Sequence, residues 1–161
     1  MPEAISNTSP LLYLYRIEAL NWLPQLFDDV WISNAVVLEL EAGQKQGYDV
    51  PSSKGYPWLK VVEPGLISLD WQALDLGPGE LAAMSLALEH PEKIVLLDDM
   101  LARQAAQSAG LRVWGTLKIL LEAKSEGLTT AIKPLVYRLN NAGMWLSEEV
   151  VQRVLALAGE T

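Results

Sequence analysis

The chain alternates short apolar segments with longer segments of helical character, and this order restricts the folds open to it. The apolar segments predict strands at residues 3–7, 28–34, 58–64, 93–99 and 111–115. A helix between two strands returns the chain to the sheet edge where the first strand began, so the strands pair in parallel. We therefore predict an α/β fold with a mainly parallel sheet.

The segments between and after the strands predict the helices. Ser9 is the expected N-cap of the first helix, with Pro10 at the first helical position. That helix covers residues 11–27 and can break near Ile17. The next helix starts at residue 35 and ends at Gly43 or Gly47, and residues 48–79 are expected to form a long insertion. The other predicted helices lie within residues 77–90, 100–110, 116–127, 132–143 and 147–159.

Length and composition limit the kinds of protein this chain can be. Its 161 residues suit a single domain covering residues 1–161, with a C-terminal helical extension at about 116–161. No apolar run approaches the roughly 20 residues that span a bilayer, and no secretory signal is recognisable at the start. Together with the lack of cysteine, this predicts a cytoplasmic protein without membrane contact.

The charge balance constrains any nucleic-acid partner. Twelve basic and twenty acidic side chains give a formal charge of −8. The average field therefore repels RNA, so a local basic patch or bound cations must meet it. With no cysteine and one histidine, the chain also lacks the residues for a cysteine-ligated or multi-histidine metal site.

Oxygen-bearing side chains occur where several strands are expected to end. Asn7, Asp98 and Asp99 end predicted strands, Glu39 lies about one turn into the helix after the second strand, and Glu80 opens another helix. Ligands bind at the carboxyl edge of parallel sheets. Oxygen donors gathered there suit a hard cation such as Mg²⁺ or Mn²⁺. We expect Glu39, Glu80 and at least one of the two aspartates to share a solvent-accessible pocket.

Each of these residues also has a structural interpretation. Asp98 and Asp99 could cap the next helix, Glu80 could complement a helix dipole, and Glu39 could be an exposed helix position. His90, beside a proline, is expected to be a surface residue at a helix end rather than a catalyst.

The order of the motifs resembles the PIN-domain superfamily, and more narrowly its DUF3368 subgroup, which is related to VapC-type toxins. The resemblance covers nearly the whole chain and lies in "SNTSPLLYL", "VWISNAVVLELEAG", "LGPGELAAMSLAL", "VLLDDMLARQAAQSAGLRVWGTLKILLEAKSEGL" and "VVQRVLALAGE". It implies a three-layer α/β/α sandwich and a ribonuclease dependent on Mg²⁺ or Mn²⁺. It also implies a homodimer that works beside a small antitoxin protein.

The resemblance assigns roles to residues of this chain. The second and third acids of the family pattern match Glu39 and Glu80, and the fourth matches the Asp98–Asp99 pair; these are the implied catalytic residues and metal ligands. Asn7 stands where the first aspartate is usual, and its amide oxygen can still bind a cation but brings no charge.

Three further residues are implied to contact the substrate. Thr8 and Ser9 match the small hydroxyl residues that commonly follow the first acid. Arg103 could contact a phosphate, or could instead form an intrahelical ion pair with Asp99, four residues earlier.

Two other functional interpretations are compatible with the sequence. The missing charge at Asn7 is compatible with a catalytically weakened PIN scaffold that binds RNA or protein. Paired acids at a strand end also occur in receiver-like phosphoacceptor domains, but there the acids do not follow two other acid-bearing segments.

Overall fold

The computed structural model describes residues 1–161, and its centre is one five-stranded sheet. The strand order is β3-β2-β1-β4-β5, and every neighbouring pair is parallel. The strands are β1 (Ala4–Ser6), β2 (Val30–Ile32), β3 (Leu59–Val61), β4 (Ile94–Leu96) and β5 (Arg112–Trp114). The predicted α/β class is confirmed, and the sheet is parallel throughout.

Nine α-helices flank this sheet and give a three-layer α/β/α sandwich, as predicted. They are α1 (Thr8–Arg16), α2 (Leu23–Leu26), α3 (Asn34–Lys45), α4 (Leu69–Gln72), α5 (Pro78–Glu89), α6 (Met100–Ser108), α7 (Thr116–Ser125), α8 (Lys133–Asn141) and α9 (Glu148–Leu157). None of them has both the length and the apolar character that spanning a membrane demands.

The strands are shorter than predicted, and β1 and β2 end where a polar residue occupies the N-cap of the next helix. The strand predicted at 28–34 ends at Ile32, since the Ser33 side chain accepts a hydrogen bond from the Val36 N–H and caps α3. The prediction of Ser9 as the first N-cap is wrong. Asn7 occupies that position, so α1 begins at Thr8.

The break expected near Ile17 is confirmed. Helix α1 ends at Arg16, and Glu18 has a positive φ of 62°, a conformation that no regular helix contains. A short 3₁₀ turn (Leu20–Trp22) then leads into α2. The insertion at 48–79 contains β3 and also α4, a short helix that was not predicted. The buried side chain of Trp71 anchors it.

Apolar side chains alternate between the two faces of the sheet and form two cores. In β4, Ile94 and Leu96 belong to the larger cluster of 23 buried residues, whereas Val95 belongs to a second cluster of 11. This is the two-residue period of a strand that is covered on both sides. Helices α1, α3 and α7–α9 contribute to the larger cluster, and α5 and α6 to the smaller one.

Candidate active site

The carboxyl edge of the sheet carries the side chains that the sequence singled out. Asn7 follows β1, and the Asp98–Asp99 pair comes shortly after the neighbouring strand β4. Glu39 lies in α3, the helix after β2, and Glu80 lies in the first turn of α5. The chain thus assembles this edge from four separate segments.

Glu39 connects the start of α1 to the start of α5. One of its carboxylate oxygens accepts a hydrogen bond from the Thr8 hydroxyl, and the other accepts one from the Gly79 N–H at 3.1 Å. The half-buried Glu39 side chain is therefore held at both oxygens. The interpretation of Glu39 as a merely exposed helix position is wrong.

Asn7 has a buried amide oxygen that no hydrogen-bond donor reaches. A Cβ added at Gly79 would lie 2.8 Å from this Oδ1 and 2.5 Å from Oε1 of Glu39. The space next to the Gly79 Cα is thus bordered by two oxygen atoms. A buried acceptor without a donor is costly, and a cation would satisfy it.

Glu80 both caps its own helix and faces other acids. Its Oε1 accepts a hydrogen bond from the Gly77 N–H at 2.9 Å, so the predicted structural role is present. Partial burial raises the pKa of Glu80, the Gly77 N–H opposes this, and the charges of Asp99, Glu39 and Asp75 raise that pKa further. Burial is thus the main cause of the raised pKa of Glu80, and the neighbouring acids add to it.

Asp98 is tied to the N-terminus of α7. Its Oδ1 accepts a hydrogen bond from the Thr116 N–H and its Oδ2 one from the Thr116 hydroxyl, both at 2.8 Å. The Ser9 hydroxyl donates to the same Oδ2 at 3.3 Å. Burial raises the pKa of Asp98, while these donors and the charge of Arg103 oppose the shift.

Asp99 has a different position from its neighbour. It is the N-cap of α6 and accepts a hydrogen bond from the Ala102 N–H at 3.0 Å, as the capping interpretation predicted. Arg103 lies on the side of Asp98 instead, where its guanidinium donates to the Leu97 carbonyl at 3.2 Å. Of the two aspartates, Asp99 is the one whose negative charge raises the pKa of Glu80.

The acids do not gather around one point. No group of three acidic or histidine side chains is close enough to hold a metal ion between them. A cavity at this edge is lined by Asp98 and Arg103 but not by Glu39 or Glu80, and one pocket shared by all these acids stays a prediction. Each carboxylate instead accepts a hydrogen bond from a different backbone N–H.

The donor chemistry nevertheless fits a hard divalent cation. All the side chains concerned offer oxygen, and the unpaired Asn7 oxygen lies across Gly79 from the Glu39 carboxylate. Asn7 and Glu39 are therefore the residues that could hold such a cation between their oxygen atoms.

Two residues that organise the site were not predicted. Gly79 admits the close approach of Glu39, and Thr116 fixes Asp98. Their signals were the glycines of "GPGE" and the threonine of "WGT", which opens a helix after the last strand. Neither signal shows that Gly79 contacts Glu39 or that Thr116 contacts Asp98, because the residues of each pair are distant in sequence.

A parallel three-layer sandwich with acids at its carboxyl edge is consistent with a PIN-like fold. The family model described as "DUF3368: PIN domain" matches residues 3–160. The chain belongs to this family of PIN domains, which are generally nucleases and typically use divalent metal ions. The match favours the PIN interpretation over a receiver domain. No curated protein matches the chain.

Replacement of Gly79 tests the close contact between α5 and the two oxygens. We expect Gly79→Ala to lower the free energy of unfolding by about 1–3 kcal/mol, because the added methyl group must displace Glu39 or Asn7. Gly77→Ala is the matched control, since its Cβ would meet nothing closer than 3.5 Å. It should cost less than about 1 kcal/mol. Urea denaturation measures both, and equal stability of the two variants would contradict the contact.

The raised pKa of Glu80 predicts a pH-dependent effect of Glu80→Gln. An acid whose pKa is raised by folding favours the folded state below its unfolded pKa, and that advantage is lost as the pH rises through the folded pKa. The glutamine keeps an acceptor for the Gly77 N–H and removes the charge. Without metal, we therefore expect Glu80→Gln to be more stable than the wild type at pH 7, with a difference that shrinks on acidification.

Thermal unfolding across this pH range measures the difference. Glu126→Gln, at an exposed position, is the control for loss of one charge. A Glu80→Gln variant that is less stable than the wild type at neutral pH would contradict the raised pKa of Glu80.

Proposed function

We propose that this protein is a metal-dependent endoribonuclease of the PIN/VapC toxin type, which hydrolyses RNA phosphodiester bonds. The observation that carries the proposal is the buried, unpaired amide oxygen of Asn7 beside the Glu39 carboxylate, in a chain of the PIN family. PIN nucleases bind RNA, and the acids lie at the edge where parallel sheets bind ligands.

The proposed roles follow from the hydrogen bonds of each residue. Asn7 and Glu39 would hold a Mg²⁺ or Mn²⁺ ion, with Glu80 and Asp99 adding negative charge nearby. When bound, such an ion lowers the pKa of a coordinated water and neutralises charge on the phosphate. Thr8 orients Glu39 through its hydroxyl.

Asp98 forms the other end of the site. Thr116 and Ser9 keep its carboxylate in place, and burial raises its pKa above the ordinary value of an aspartate. Arg103, next to Asp98, would contact a phosphate of the substrate. Direct substrate contacts of Thr8 and Ser9 remain a prediction, because both hydroxyls are bonded to acids here.

The family resemblance extends the proposal to the cellular role. We propose that the protein acts in the cytoplasm within a toxin–antitoxin system, and that a small antitoxin protein binds it.

A second candidate function is a weakened PIN scaffold that binds RNA or protein without turnover. Two observations favour it: Asn7 contributes no charge, and no three acids lie close together. A metal site with fewer charges holds its ion less tightly.

Substitution at position 7 separates the two candidates. We expect Asn7→Asp to tighten Mn²⁺ binding by at least about tenfold, because an added carboxylate next to a divalent ion gains several times more than it would in water. Ribonuclease activity on single-stranded RNA should rise with it, whereas Glu80→Ala should abolish activity. Without metal, Asn7→Asp should be less stable than the wild type, because it adds charge to a crowded edge.

Calorimetry with Mn²⁺ and cleavage of a labelled single-stranded RNA measure these effects. Asn141→Asp, exposed in α8, is the control for an added charge. If the wild type, Asn7→Asp and Glu80→Ala are all inactive and none binds the ion, the nuclease proposal is wrong. If the wild type cleaves RNA and Asn7→Asp changes nothing, Asn7 is not a ligand.

We also propose a symmetric homodimer. Tyr13, Tyr15 and Trp22 are only partly buried by their own chain and could bury each other across a two-fold axis. Light scattering at tens of micromolar should give twice the chain mass of 17.7 kDa. A monomer mass would contradict the dimer.

A further inference from the structure

A groove of about 470 Å³ opens next to Asp98, between α7, α9 and the segment at residues 142–147. We call it the α7–α9 groove. Asp98 and Arg103 line it together with Lys118, Trp145, Arg153 and aliphatic side chains. The groove therefore connects Asp98, one residue of the candidate active site, with a surface that carries Lys118, Trp145 and Arg153.

Among the charged side chains that line the groove, cations outnumber acids, whereas acids outnumber cations in the whole chain. The chain has a formal charge of −8, but three cations and a single acid line this groove. Lys118 and Arg153 pair with Glu122 and Glu149 one turn away, in exposed i,i+4 contacts. Such pairs contribute little, so the two cations can exchange these partners for a phosphate. Charge complementarity thus favours an anionic occupant.

Trp145 is 90% exposed, although the residues on either side of it are held in place. Met144 and Leu146 pack against the larger core, which fixes the backbone of the segment and leaves the indole ring in solvent. Because the backbone of this segment is fixed, the exposed indole ring stays at the groove, and a nucleobase can stack on it.

We propose that the α7–α9 groove binds single-stranded RNA, with an unpaired base stacked on Trp145, phosphates contacting Lys118 and Arg153, and the strand continuing past Arg103 to Asp98. This inference rests on the proposed function for the nature of the substrate. The aliphatic floor of the groove is also compatible with a protein segment, and the experiments below distinguish the two occupants.

Fluorescence anisotropy of a labelled single-stranded RNA of mixed sequence tests the stacking contact. The buffer contains EDTA, so binding is measured without cleavage. We expect Trp145→Ala and Trp145→Leu to weaken binding by about tenfold or more, since one stacked base contributes that much. Trp145→Phe should retain most of the affinity because it keeps an aromatic face. Tyr48→Ala, which removes an exposed aromatic ring outside the groove, should bind like the wild type.

The salt dependence of the same assay tests the phosphate contacts. We expect Arg153→Gln to reduce the slope of log affinity against log salt concentration by about 0.7, the value for one phosphate contact on a single strand. Arg138→Gln, on α8 and outside the groove, should leave the slope unchanged.

Two adjacent acids on α9 allow a test in which RNA binding is expected to become tighter rather than weaker. Glu149 pairs with Arg153, whereas the adjacent Glu148 accepts from Gln152. Glu149→Gln frees Arg153 and should tighten RNA binding. Glu148→Gln loses the same charge and should tighten it less.

Several outcomes would overturn the inference. The groove is not an RNA site if the wild type fails to bind RNA in EDTA, if Trp145→Ala binds like the wild type, or if Trp145→Leu binds as well as Trp145→Phe. If Trp145→Ala leaves RNA binding intact but turns a dimer into a monomer in light scattering, the groove is an interface between copies.

These outcomes are separate from those of the nuclease proposal. Trp145-dependent binding by a protein that never cleaves RNA would refute the nuclease and support the groove. Cleavage that is insensitive to Trp145→Ala would do the reverse.

Discussion

Backbone N–H groups at three helix N-termini hold the acids of the carboxyl edge, and the arrangement of the site depends on these bonds. The N-terminus of α5 donates to both Glu39 and Glu80, that of α6 to Asp99, and that of α7 to Asp98. Helix N-termini stabilise negative charge through their free N–H groups and their dipoles. Carboxylates that would repel one another in water can therefore coexist at one edge. The same bonds keep them apart, which explains why no three of them surround a single point.

Asn7 is the exception within this arrangement. Its side chain lies at the N-cap of α1 but makes no capping hydrogen bond, and its buried oxygen has no donor. An aspartate there would add a further negative charge next to Glu39, at an N-cap whose present side chain makes no capping hydrogen bond. The amide avoids that repulsion when no cation is present, at the cost of weaker attraction for one. In the proposed metal site, position 7 would therefore set a balance between the stability of the metal-free fold and the affinity for metal.

The sequence predicted those parts of the structure that local patterns determine. Strands separated by helices require a parallel sheet, so the class of fold and the edge that carries Asn7, Asp98 and Glu80 could be inferred without coordinates. The cap of α1 was misplaced because Asn7 and Ser9 are both good capping residues, and periodicity does not choose between them.

Contacts between distant segments were beyond such reasoning. That Glu39 meets Gly79, or that Asp98 meets Thr116, depends on how helices pack after the sheet has formed. Nor could composition identify Trp145 among six tryptophans as an exposed ring. Its exposure results from the packing of its two neighbours, and no sequence period reports it.

An acidic protein can still approach RNA if its cations are concentrated where contact occurs. At physiological ionic strength, charges more than about 8 Å apart are largely screened. The repulsion that arises from the net charge of −8 therefore falls off rapidly with distance, whereas groups in contact keep their effect. Arg103, Lys118 and Arg153 line the α7–α9 groove, and Asp98 is the one acid among its lining residues. In the proposed complex, the overall charge would slow non-specific encounters with nucleic acid, and a strand in the groove would meet a more favourable field. Stacking on Trp145 would add selection for unpaired bases, because a duplex presents no free ring face along its length. Net repulsion and local attraction together would thus restrict the substrate to flexible, single-stranded regions that can reach Asp98.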